Sequence, residues 1–204
     1  MLTLRSSPAS PFVRKVRIAA ALLGLDRDIK VENADTMSAN DSVREQNPLG
    51  KIPALVLEDG TALFDSRVIL DYLDHRAGGG RIVPKDAKAR FAALRLQALA
   101  DGIMDASILQ VYESRWRAPE KHETKWVEHQ AGKVTRALAS LEAVPPAPVT
   151  GEPDIGQIAV ACALGYRDFR FHGSWRKDHP RLVAWLDNFA AKVPAYAATN
   201  PPPA

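Results

Sequence analysis

Over the first 76 residues, apolar positions switch between short strand-like runs and stripes of helical period. Leu2 to Arg5 reads as a first strand. After Ser10-Pro11, the residues Val13, Val16, Ala20 and Leu23 recur at helical spacing, Pro11 suits a first helical turn, and Gly24 suits the stop. Ile29 to Val31 fits a second strand, and Ser42 to Gln46 a short helix or turn before Asn47-Pro48-Leu49-Gly50. The runs Ala54–Leu57 and Ala62–Phe64 flank Glu58-Asp59-Gly60-Thr61, where Asp-Gly predicts a hairpin of two antiparallel strands. Asp65 or Ser66 can cap a helix that carries Val68, Ile69, Tyr72 and Leu73 to about Arg76. The predicted order is βαβ followed by ββα, an α/β layer.

Ala77 to Lys85 holds three consecutive glycines and a proline, the composition of an interdomain linker. The expected division is a first domain over 1–77, a linker over 78–85, and a second domain over 86–204. Beyond the linker no strand-like alternation is evident. Asp86–Tyr112 and Glu120–Val144 are long periodic segments rich in helix formers, the second stopped by Pro145-Pro146-Ala147-Pro148. Asp154 with Gln157 makes a capping box ahead of the apolar run Ile158–Leu164, which predicts a buried central helix. A further helix is expected from Pro180, with Leu182, Val183, Leu186 and Phe189 on one face, and the tail Pro201–Ala204 is expected to fray. The second domain reads as an all-helical bundle.

Composition narrows the function classes. Hydrophobic residues make up 46% and charged residues 25% of the 204, an ordinary globular mix. The N-terminus turns polar too soon for a signal peptide, and no apolar run approaches the roughly 20 residues that span a bilayer, so the expected location is cytoplasmic, away from membranes. A net charge of +3 is mild and its basic residues are scattered, which gives nucleic-acid binding little support. The single cysteine, Cys162, lies in the apolar run, where a buried inert thiol is expected; a Cys-x-x-Cys redox pair is impossible. The five histidines show no metal-site pairing, with His122 and His129, seven apart, read as lying on a solvated helix face, and no metal or organic redox cofactor is expected.

Three segments carry a specific resemblance: Ser10-Pro11-Phe12-Val13, Asn47-Pro48-Leu49-Gly50-Lys51-Ile52-Pro53-Ala54-Leu55, and Leu63-Phe64-Asp65-Ser66-Arg67-Val68-Ile69. In this order and spacing the chain resembles bacterial cytosolic glutathione transferases over essentially its whole length. The resemblance implies a thioredoxin-like βαβ-ββα domain followed by an all-helical bundle, with glutathione as co-substrate. It implies a cis-proline turn at Ile52-Pro53, whose Ile52 N–H and C=O pair with the cysteinyl part of the ligand. It also implies that Phe12 lies at the glutathione site and Lys51 near the glycyl carboxylate. Asp65 and Ser66 begin a helix, so the Ser66 hydroxyl and free backbone N–H groups can take the γ-glutamyl carboxylate while Asp65 pairs with its ammonium.

Ser10 is the catalytic candidate, with Ser7, and then Ser6, as alternatives. It occupies the position of a thioredoxin-type Cys-Pro-x-Cys with both cysteines replaced, so disulfide exchange is lost, and serine there argues against a thiol reductase. A hydroxyl donating to the bound sulfur still favours the thiolate. A free thiol has a pKa of about 8.5; a hydrogen bond to a charged group contributes roughly 1.5–3 kcal/mol and a helix N-terminus about 0.3–1. At about 1.36 kcal/mol per pKa unit, the hydroxyl is the larger effect and brings the thiol to around 7 or below. For the second substrate, an electrophilic small molecule, the resemblance points to Ser107, Val111, Tyr112 and Arg115. Tyr112, Trp116 and Trp126 equally fit core or dimer-contact aromatics. A homodimer is implied by resemblance alone, and a non-catalytic binding or scaffold protein on the same fold is the competing reading.

Overall fold

A computed structural model describes residues 1–202; of the predicted frayed tail, Pro203 and Ala204 lie outside the described residues. The first domain runs β1 (Leu2–Ser6), α1 (Pro11–Leu23), β2 (Ile29–Asn33), α2 (Val43–Gln46), β3 (Ala54–Val56), β4 (Ala62–Leu63) and α3 (Ser66–Arg76). The sheet order is β2-β1-β3-β4. β1 and β2 are parallel, Leu4 facing Val31, which is what the α1 crossover requires; β3 is antiparallel to both β1 and β4. α1 ends where Gly24 turns left-handed, its N–H reaching back to the Ala20 and Ala21 carbonyls. The hairpin strands are shorter than the apolar runs predicted, because Leu57 N–H already turns to the Thr61 carbonyl.

The glycine-rich segment is no loose tether. Gly78, Gly79 and Gly80 all adopt positive φ, a conformation that side chains rarely allow. The buried Asp74 carboxylate accepts the N–H groups of Gly80, Arg81 and Ile82 at 2.6, 3.0 and 2.8 Å. Arg81 then binds the Leu22 and Leu23 carbonyls and Glu152, stitching the end of α1 to the loop before the central helix.

The second domain comprises α4 (Ala87–Trp116), α5 (Thr124–Ala143), α6 (Ile155–Phe171), α7 (Pro180–Lys192) and α8 (Pro194–Ala198). α4 runs one turn past the predicted end, and α5 starts later than the pattern suggested, after a 3-10 turn at Pro119–Lys121. α8 opens on Pro194 but is too short to show a periodic pattern. α6 is the buried axis, from Ile155 to Tyr166. Its capping box forms as predicted, with Asp154 accepting from Gln157 N–H at 2.9 Å and Gln157 Oε1 accepting from Asp154 N–H at 3.0 Å. Gly156 lets α4 approach, since a Cβ there would stand 2.7 Å from the Ala93 carbonyl oxygen. One apolar core runs from the sheet through α1 and α3 into α4, α6 and α7. No helix of the described residues is long and apolar enough to cross a membrane.

Candidate functional site

Ser10 is the N-cap of α1. Its Oγ accepts from Val13 N–H at 3.3 Å and its own N–H donates to the Ser7 carbonyl. A hydroxyl that accepts at a cap keeps its own hydrogen available to donate. Phe12, second in the helix, has an N–H with no intrahelical partner. Ser7 is half-buried, whereas Ser6 is buried at the end of β1, its carbonyl accepting from Ala34 N–H. Ser10 lines a small cavity with Pro8, Arg14, Cys162, Gly165 and Tyr166, so the first loop and α6 share one space. The Cys162 thiol is fully buried and pushed up to about 11 by desolvation, which leaves it inert at neutral pH.

The start of α3 lies alongside. Asp65 caps it, accepting from Arg67 N–H at 2.9 Å, and its carboxylate is otherwise exposed. Ser66 is buried, and its Oγ accepts from Lys15 Nζ at 3.2 Å. The Ile52–Pro53 and Phe64–Asp65 peptide bonds are both cis. Among the described residues, no hydrogen bond uses the Ile52 N–H or C=O. Lys51 is exposed, its carbonyl held by the Asn47 amide at 2.8 Å.

Sequence reading missed the groups beneath this edge. Lys15 is wholly buried and pairs with the buried Asp101 of α4 at 2.6 Å, while Arg67 Nε holds the other Asp101 oxygen at 2.9 Å. An isolated lysine in an amphipathic stripe carries no mark of such a partner 86 positions away. Arg14 is also buried one turn from Ser10, donating to the Tyr196 carbonyl and to Asn200 Oδ1 with its guanidinium 4.0 Å from the Tyr196 ring centroid; among the described residues it has no carboxylate partner. Asp105, one turn beyond Asp101, has its carboxyl pushed up, first by partial desolvation and then by Asp101; Asp65 adds a smaller repulsion, while Arg67 and Lys51 oppose it.

The second-substrate candidates fall in two groups. Ser107 is fully buried and meets Arg167 of α6 at 3.4 Å, so it faces the seam between α4 and α6 and no open pocket. Val111 is half-buried, and Tyr112 and Arg115 are exposed, with the Arg115 guanidinium 5.3 Å from the Tyr112 ring centroid. Trp116 and Trp126 are exposed, which removes the core alternative for them; Trp126 stacks on His129. His122 is exposed but lies just after the 3-10 turn, outside any helix.

Comparison with known proteins agrees on one family. The pattern of the glutathione S-transferase N-terminal domain matches residues 9–76, and that of its C-terminal domain residues 124–188. An uncharacterized GST-like protein, YibF, of Escherichia coli K12 is 36% identical over the full length of both chains. A crystal structure of a glutathione transferase family member from Pseudomonas fluorescens Pf-5 with bound glutathione superposes with a TM-score of 0.92 at 48% identity, covering 99% of this chain and 100% of that one. The same target has been crystallised with S-(propanoic acid)-glutathione (TM-score 0.88). A glutathione S-transferase from Methylobacillus flagellatus KT with glutathione bound superposes at 0.90 with 34% identity, over 99% and 100% of the two chains.

Proposed function

The chain belongs to the glutathione transferase family, and from that premise we propose that it binds glutathione, ionises its thiol and transfers it to an electrophilic small molecule. The observation that carries this reading is the Ser10 hydroxyl at the N-terminus of α1, in one cavity with α6, on a helix that Lys15 ties to the start of α3 at Ser66. Glutathione-bound relatives at 48% and 34% identity over nearly the whole chain support the same ligand.

In this reading the γ-glutamyl carboxylate sits at the start of α3, taken by the Ser66 hydroxyl and backbone N–H groups; Lys15 holds that hydroxyl oxygen and so aims its hydrogen outward. The ammonium meets Asp65, with Asp105 adding negative potential. The cysteinyl backbone pairs with Ile52, the glycyl carboxylate meets Lys51, and Phe12 flanks the ligand. Ser10 O–H donates to sulfur, Ser7 being the alternative donor. The positive charge of Arg14, one turn from Ser10, and the helix N-terminus favour the same thiolate.

The thiol proton leaves to solvent. The sulfur lone pair forms a bond to the electrophilic carbon, and the displaced pair departs with a leaving group or, for a conjugated acceptor, ends as a C–H bond after protonation. Holding thiolate and acceptor together supplies the remaining rate gain. The thioether carried by the ligand of the Pseudomonas fluorescens relative is the kind of bond this step makes, and its S-substituent bears a carboxylate. Two such chains form a homodimer in this reading.

Ser10→Ala tests the assignment. Losing a hydrogen bond of roughly 1.5–3 kcal/mol moves the inflection of the kcat/KM profile upward by about one to two pH units. Turnover then falls roughly tenfold or more at pH 6.5–7, with little loss near pH 9, while glutathione affinity stays within a fewfold. Superimposable profiles for Ser10→Ala and wild type would sink Ser10 and move the assignment to Ser7. Absence of glutathione binding at millimolar concentration would favour the scaffold reading.

A further inference from the structure

Arg167 and Arg170 of α6 are half-buried, and among the described residues neither has a carboxylate partner. Arg167 Nη1 makes one long contact, 3.4 Å to Ser107 Oγ, and its guanidinium carbon lies 3.5 Å from the Phe171 ring centroid. Its Nε is buried with no hydrogen-bond partner. The Nε of Arg170 is in the same state, and that guanidinium lies 4.2 Å from the Phe169 ring centroid.

Asp168, next to Arg167 in sequence, and Glu113, near Arg115 on α4, are committed elsewhere. Asp168 takes Arg176 at 2.6 Å and the Trp175 indole N–H at 2.9 Å. Glu113 takes Arg117 at 3.0 Å and Glu123 N–H at 2.7 Å. Across the seam, Arg115 adds a third positive charge, its guanidinium 5.3 Å from the Tyr112 ring centroid and, among the described residues, without a carboxylate partner. Arg5 shares the buried, unpartnered Nε but has a carboxylate on its other nitrogens, binding Asp41, Ser42 and Gln46 together. Desolvation without an anion holds Arg167 down to about 10.

A cation partly withdrawn from water and left without a counter-charge costs free energy. A guanidinium has five N–H donors in a planar fork, a shape that matches the two oxygens of a carboxylate. The location is specific. Tyr166, next to Arg167 in sequence, lines the same cavity as Ser10. Ser107 and Arg115 bring α4 to the other side.

We propose that the second substrate is an anionic electrophile whose carboxylate is received by Arg167, with Arg170 beside it. This rests on the glutathione-transferase reading above and narrows its acceptor from electrophiles in general to carboxylate-bearing ones.

Calorimetric titration tests it without knowledge of the natural acceptor. The ligands are glutathione, S-(carboxyalkyl)glutathiones with one, two or three methylenes, and the carboxamide of each. Wild type should bind glutathione, and at one chain length or more the acid should bind on the order of tenfold tighter than its amide, a preference that shrinks with added salt. Arg167→Met should abolish the preference while leaving affinity for glutathione and the amides within about twofold. The wild-type comparison stands even where that variant does not fold. Equal binding of acid and amide at every length overturns the proposal, as does an undiminished preference in folded Arg167→Met. If glutathione binds and the acids gain nothing, the anion subsite alone falls; if glutathione itself fails to bind, the functional reading falls and takes the subsite with it.

Discussion

Lys15 carries its charge at 0% exposure, joined to Asp101 at 1%, and the pair spans the two domains because α1 holds one partner and α4 the other. Removing one member of a buried pair leaves the other charge stranded, at a cost of about 3–5 kcal/mol. Arg67 remains on Asp101 and softens that loss, so Lys15→Met should cost about 3 kcal/mol, a fall of roughly 6–12 °C in Tm for a chain of this size. The double variant Lys15→Met/Asp101→Leu should recover much of it, because apolar replacement of a whole buried pair is often neutral. Scanning calorimetry on both proteins checks the pattern; a single variant as stable as wild type would show that Arg67 alone satisfies Asp101. At this scale the sequence disclosed motif residues and hid their supports. Ser10, Pro53 and Asp65-Ser66 are marked by local turn and cap chemistry. Lys15, Arg14 and Arg167 are defined by partners, or the lack of them, far along the chain, and identity alone carries no such information.

Among the elements, close helix packing decides the sign of glycine substitutions. Alanine is normally favoured over glycine inside a helix by about 1 kcal/mol. At Gly156 that gain meets the Ala93 carbonyl oxygen at 2.7 Å and Leu96 Cβ at 2.8 Å, neither of which can swing aside. Overpacking costs typically 1–3 kcal/mol, so Gly156→Ala should destabilise. Gly132 on α5 meets only the tip of Arg136 at 3.3 Å, and Gly132→Ala should stabilise by about 0.5–1 kcal/mol. Opposite shifts in urea midpoint are the expected result, and a stabilising Gly156→Ala would mean that α4 and α6 can separate freely. Elements with local signals were the legible ones: α1 between Pro11 and Gly24, the capped α3, and α6 with its capping box. α8 lacks a cap side chain and is five residues long, held by Phe189 packing on Tyr196 and by Arg14 binding its Tyr196 carbonyl. Tertiary contacts create it, so periodicity could not foretell it.

For the whole molecule, the order of motifs disclosed the two-domain architecture, but periodicity does not state which exposed faces meet another chain. Val68 on α3 and Phe91 on α4 are 48% and 69% exposed, and the Arg90–Asp71 contact at 3.8 Å joins the two helices where these side chains emerge. Leu109, Tyr112 and Trp116 continue the apolar exposure along α4. Large apolar side chains left in water on neighbouring helices mark an association surface, and the homodimer proposed above would cover them. Light scattering coupled to gel filtration should then give about twice the chain mass of 22.3 kDa. Burying a phenylalanine contributes roughly 1.5–3 kcal/mol per side chain, and symmetry counts each substitution twice. Phe91→Glu also sets like charges against each other across a two-fold axis, and should raise the dimer dissociation constant by a hundredfold or more. Its far-UV spectrum should stay that of wild type, because Phe91 lies outside the core. A wild-type mass of one chain at micromolar concentration would discard the dimer, and an undisturbed Phe91→Glu dimer would place the interface on another face.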